Sequence, residues 1–405
     1  MKKLTTLLLL FSFATILYSQ KVETAKELLK ANKLVEAKSE IDAYLQTNQK
    51  SPDAFYTKAK IYNVISQDPQ LSKQYPGARM DAFNALKKYV ETDDKMLIAL
   101  QIDGYKPINE IYTNWYQSAA TAFNNKDYTA ALRDFKNAIE TSKFMNEKGW
   151  IKMSLDTNSV LYAGVSAEKL SRHDEAVYYY GLLVKARVKG EGFVEIYKWV
   201  ANYYFENKNY SEAANFTTIG KEVYPDDPFW MSLELDNIRA TGNRDQLFAK
   251  YEETIAKDPT HHLYMYNYAV ELYQYAYNTD TLLRPANSAE LIKKAEANLR
   301  SAIRLKPDYI RAQLFMGQIA YNNGVDVINR KGTSAGDVAL KQKYFDEAIP
   351  YFLAVEKSYA TKTKLTTDEK ADLKEAYDLL ITIYEQKNIT EKVAEYQNKF
   401  NKLGN

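Results

Sequence analysis

Large, small and aromatic residues recur along this chain at helical spacing, most cleanly from Glu195 to Pro228. Within that stretch Tyr197, Val200-Ala201 and Tyr204 are three or four positions apart, which places them on one face of a helix. Ala213 follows Tyr204 by nine residues, and Pro225 marks a turn. The pattern predicts two helices folded back on one another, then a break before the next pair.

The order repeats in both directions. Ala25 and Leu28 pair with Ala37, Ile41 and Tyr44, and Leu28 to Ala37 is again nine residues. Phe55, Ala59 and Tyr62 pair with Ala82, Leu86 and Tyr89. Trp115, Ala119, Ala122 and Phe123 pair with Ala131, Phe135 and Ala138, and Ala163-Gly164 and Ala167 with Ala176 and Tyr180. Beyond Pro225 come Met231, Leu235 and Ile238 with Leu247 and Tyr251, then Met265, Ala269 and Leu272 with Ala295, Leu299 and Ala302. Met316-Gly317, Ala320 and Tyr321 with Ala348, Phe352 and Val355, and Tyr377, Leu380 and Tyr384 with Val393 and Phe400, close the series. Insertions follow Tyr62, Tyr273 and Tyr321, and each falls in the turn between paired helices. "RKGTSAGD" around Lys331 reads as a loop in the third insertion. The small residues let two helices approach closely, and facing rings fill the hollows. Leucine in place of Ala213 should therefore cost about 1–3 kcal/mol by overpacking.

This arrangement resembles the tetratricopeptide repeat, W-x2-L-G-x2-Y…A…P on a unit of roughly 34 residues. Pro225 and Pro259 stand 34 residues apart. Thr217 in place of an aromatic and Glu234 in place of Leu depart from the pattern. The resemblance implies an all-α, right-handed α-solenoid of about nine hairpins, each buried against its neighbours. The expected organisation is a signal segment over residues 1–19, hairpins over 20–94, a connector over 95–111 and central repeats over 112–259. Hairpins with insertions follow over 260–357, and a closing hairpin over 358–405.

Composition adds three points. Few breakers, 14 Gly and 10 Pro in 405 residues, favour long helices. Thirty-four tyrosines suit half-buried helices, because the ring packs while the hydroxyl stays wet. With no cysteine the chain forms no disulfide, thiolate site or lipid-modified cysteine. The first residues carry Lys2 and Lys3, an apolar run from Leu4 to Leu17 and Ser19 before a plausible cut, a secretory pattern. A soluble bacterial periplasmic or secreted protein, without an integral membrane span after cleavage, is expected. Net charge is +2, of which the leader supplies two, so bulk charge gives no attraction to nucleic acid.

Candidate chemistry is sparse. The histidines are His173, His261 and His262; the last two open a helix, where adjacent side chains diverge by about 100°. No catalytic residue, metal site or cofactor is expected. The resemblance implies ligands along the first helix of each pair, on a concave face. Lys198 and Asn202 there resemble the start of a clamp for a chain-end carboxylate, but Leu233 stands where its next Asn belongs. Asn267 and Arg311 have suitable types one repeat further on. The same projection puts Tyr56, Tyr116, Phe123, Phe205, Tyr266, Tyr273 and Tyr321 on the inner surface. These rings either line a groove for an extended peptide or sugar, or pack against neighbouring helices. Exchanging Tyr266 and Tyr273 for Ala separates the two readings. The expected function is a non-catalytic scaffold for a protein or peptide. The alternative is glycan capture of the SusD type, against which stand the missing lipoprotein cysteine and sugar-holding domain.

Overall fold

The computed structural model describes residues 21–93, 95–329, 334–360 and 362–404, and among them there is no strand. The expected signal segment lies outside the described residues. Helices α1 (residues 21–30) and α2 (Leu34–Thr47) form the first pair, and α3 (Pro52–Gln67) returns through α5 (Ala78–Thr92) after the short α4 (Leu71–Gln74). A short α6 (Ile98–Ile102) leads to α7 (Lys106–Asn124) and α8 (Tyr128–Glu147). Next come α9 (Thr157–Lys169) with α10 (His173–Lys185), α11 (Phe193–Glu206) with α12 (Tyr210–Val223), and α13 (Phe229–Thr241) with α14 (Arg244–Lys257). The last are α15 (His262–Ala276) with α16 (Ser288–Leu305), α17 (Ile310–Ile328) with α18 (Ala335–Tyr359), and α19 (Thr367–Gln386) with α20 (Thr390–Lys402). The described helices thus follow the nine expected pairs. They fall into two compact units, Met1–Asn237 and Ile238–Asn405. Within each unit helices pack chiefly on their neighbours in the chain, the stacking a solenoid requires.

The small-against-large rule is visible atom by atom. A Cβ on Gly164 of α9 would lie 2.5 Å from the Tyr180 ring of α10, and one on Gly317 of α17 would lie 2.6 Å from the Phe352 ring of α18. Ala119, Ala163, Ala176, Ala201 and Ala213 have no exposed surface. Tight turns join the short hairpins. Asn32, Lys126, Ser171, Lys208 and Asn388 each take a left-handed conformation, φ between +56° and +63°. The carbonyls at the helix ends are met by the turn amides, as when Lys208 N–H donates to Phe205 O and Asn209 N–H to Tyr204 O. Asp127 and Asn209 then cap the returning helices through Ala130 and Glu212 N–H.

The tyrosines divide as their chemistry demands. Rings are buried or half-buried while hydroxyls donate to carboxylates: Tyr112 to Asp156 at 2.9 Å, Tyr180 to Glu168 at 2.7 Å, Tyr268 to Glu252 at 2.6 Å and Tyr359 to Asp372 at 2.8 Å.

Two sequence expectations change. The connector is shorter than 95–111, because α7 already begins at Lys106; Pro107 is tolerated in a first turn, where no helical N–H bond is lost. The insertion after Tyr321 is not a loop throughout. It lengthens α17 to Ile328, and Ser334 caps α18 in a reciprocal box with Asp337, so Ala335–Asp337 of "RKGTSAGD" are helical. Residues 330–333 lie outside the described residues.

Candidate functional site

The unit Met1–Asn237 holds six of the predicted residues. Tyr116 meets Phe135 edge-on at 6.0 Å, Phe123 lies among Tyr128 and Tyr162 at 5.5 and 5.1 Å, and Phe205 rests on Tyr210 at 5.9 Å. Lys198 pairs with Glu195 at 3.1 Å and Asp227 at 2.8 Å, and the hydrogen bond to Asp227 leads in raising its pKa. Tyr56 takes the packed reading: only 3% exposed, it donates to Asp103 at 2.6 Å and belongs to the core. Leu233 is likewise buried, so no clamp runs on from Asn202.

Asn202 lines a groove of about 790 Å³ between the start of α10 and the exposed side of α11. Trp199, Tyr203, Glu206 and Asn207 share its α11 wall; Ser171 to Glu175 make the other. Trp199 and Tyr203, one turn apart, stack at 5.6 Å with 12° between ring planes. The other edge of Trp199 meets Tyr180 at 5.2 Å. Tyr203 donates to Asp174, and that bond, with burial, pushes the phenol up to about 12. Glu175 is occupied by Lys136 at 3.3 Å and Arg172 at 3.6 Å. Ser171, His173 and Asp174 line the same groove, yet no hydrogen bond joins Ser171 to His173, and the Asp174 carboxylate is turned to Tyr203. The arrangement can hold a flat or cationic group and offers no relay for nucleophilic attack.

The unit Ile238–Asn405 holds four of the predicted residues. Tyr266 meets Tyr309 edge-on at 5.0 Å, and Tyr321 stacks on Phe345 at 5.5 Å. Arg311 remains largely exposed, 3.4 Å from Asp368. Tyr273 takes the second of its two readings, packing against its neighbours. It is 6% exposed, stacked on Tyr277 at 4.9 Å and edged by Phe315 at 5.5 Å, and its hydroxyl accepts from Asn322 at 2.9 Å. Burial raises its pKa. His261 and His262 stand at the start of α15 as expected. Among the described residues no cluster of His, Asp or Glu could hold a metal, and no helix is long and apolar enough to cross a membrane.

Sequence reasoning missed Trp199 and Tyr203. They lie outside the Tyr197–Ala201–Tyr204 stripe, and the available signal was a second aromatic pair at i, i+4 on the polar side of the same helix.

No family profile matches the sequence, and no curated protein matches it. Solved structures of tetratricopeptide-repeat proteins do. The P58(IPK) TPR domain is 14% identical over 90% of this chain and 98% of its own, with a TM-score of 0.26. A TPR repeats protein from Bacteroides fragilis is 18% identical over 66% and 98%, TM-score 0.31. YrrB, described as a TPR protein with an unusual peptide-binding site, is 15% identical over 54% and 96%, TM-score 0.31.

Proposed function

We propose that this chain, a protein of tetratricopeptide-repeat fold, is a non-catalytic scaffold that binds a polypeptide partner along the first helices of its hairpins. The observation that carries the reading is the groove against α11. There Trp199, Tyr203, Asn202 and Glu206 line an open space of about 790 Å³, whereas predicted rings such as Tyr116 and Tyr321 are packed into their neighbours. A hairpin array presents side chains from successive first helices in a row, which suits an extended segment. Phe205, Tyr116 and Phe123, half-buried on the same set of helices, would flank that segment; Arg311 and Tyr266 would serve on the other unit. The basic start and apolar run of residues 1–19 support an exported protein.

The test is capture of envelope proteins on the immobilised chain, repeated with Asn202→Arg, beside a glycan array. A polypeptide retained by the parent and lost with the bulky variant is expected. Sugars bound in the absence of any polypeptide would replace this reading with glycan capture.

A further inference from the structure

Glu206 is the last residue of α11, where the helix already ends in partial negative charge and a carboxylate is disfavoured. Among the described residues no lysine or arginine pairs with it, nor with Asp174 on the facing wall, although Glu175 beside them has two cations. The Trp199–Tyr203 stack shares the groove with these two carboxylates.

The other unit contains the same device with its place filled. Tyr273 and Tyr277 also stack one turn apart, at 4.9 Å and 10°. The guanidinium of Arg284 lies 4.3 Å over the Tyr277 ring. It forks onto Asp326 through two hydrogen bonds of 2.6 and 2.9 Å. An aromatic pair, a carboxylate and an arginine complete one another there. At α11 the aromatic pair and the carboxylates are present, but Arg172, which lines the same groove, is turned to Glu175, and among the described residues no guanidinium lies over the rings.

We propose that the α11 groove takes an arginine side chain from a partner polypeptide, a deepening that rests on the scaffold reading above. Guanidinium is planar and weakly hydrated, so it can lie against an indole and fork to a carboxylate. A lysine would satisfy the charge without the stacking. A neutral sugar would cover the rings and bring no positive charge to Glu206.

The experiment titrates the whole chain by calorimetry with a capped Gly-Arg-Gly-Arg-Gly peptide and its citrulline counterpart, which keeps the shape and loses the charge. The arginine peptide is expected to bind at least about tenfold more tightly than the citrulline one. Glu206→Gln is expected to weaken it about fivefold, with an unchanged or higher melting temperature. Glu206→Lys is expected to abolish binding. A variant-independent readout is the indole N–H resonance of Trp199, assigned through Trp199→Phe, which should shift while those of Trp115, Trp150 and Trp230 stay. Equal binding of the two peptides, full affinity in Glu206→Gln, or an unmoved Trp199 signal each overturns the proposal. Hydrogen exchange with the captured partner separates the two ideas. Protection of other first helices with this groove left open sinks the arginine site and keeps the scaffold. A groove titrated by the peptide when no polypeptide is captured sinks the scaffold and keeps the site.

Discussion

Two aromatic pairs built alike meet opposite fates in this chain. Trp199–Tyr203 on α11 and Tyr273–Tyr277 at the end of α15 both stack one helical turn apart, at 5.6 and 4.9 Å. The second pair is closed over: Phe315 covers its edge, Asn322 donates to the Tyr273 hydroxyl, and Arg284 caps Tyr277. The first pair lines a groove against the short turn Ser171–Glu175 and stays half-buried, with no cation over its rings among the described residues. The difference comes from the insertion after Tyr273. It supplies Arg284, and the lengthened α17 supplies its anchor Asp326. A local stack is thus a shared device, and its neighbours decide whether it becomes core or surface.

The comparison is broken most severely by emptying the closed pair. Tyr273→Ala should remove about 3–5 kcal/mol from the unit Ile238–Asn405, read by urea unfolding. A similar loss from Trp199→Ala would mean that the two pairs are equivalent after all. Arg284→Ala should cost about 3 kcal/mol, because it strands Asp326 in a site where both side chains are less than one-fifth exposed. A loss below about 1 kcal/mol, the range of surface pairs, would mean that the insertion merely rests on α17.

Alkali sharpens the contrast on the open side. In the folded chain Tyr203 is pushed up to about 12, chiefly by its bond to Asp174, while an unfolded tyrosine ionises near about 10. The bond therefore contributes fully below about pH 10 and is lost as pH rises toward about 12. Melting temperature should fall across that window, and less so in Tyr203→Phe; parallel curves for the two proteins would remove Tyr203 from the account. The smallest effect is a gain. Glu206→Gln relieves a carboxylate at a helix C-terminus and should add about 0.3–1 kcal/mol in low salt. A loss of stability would mean that Glu206 has an internal partner.

Much of the fold was legible because helix pairing is local. Ala201 under Tyr197, Gly164 against Tyr180 and the nine-residue step from Tyr204 to Ala213 are all set within one hairpin, where spacing along the chain nearly equals spacing in space. The capping box that joins Thr366 to Glu369 is equally local, set by residues three positions apart. The site was less legible. Asn202, singled out for a clamp, lines the α11 groove, and Tyr273 and Tyr56, whose helical phase left groove lining and packing both open, are buried and bonded to residues 49 and 47 positions away in the chain.

The sequence by itself determined the elements: which segments are helical, where they turn, and that small residues sit beneath rings. Each follows from periodicity and sterics over a few residues. Tertiary structure alone decided which aromatic pair is covered and which carboxylates lack a cation. Those outcomes depend on what an insertion or a neighbouring turn brings across the gap, and no local spacing encodes that.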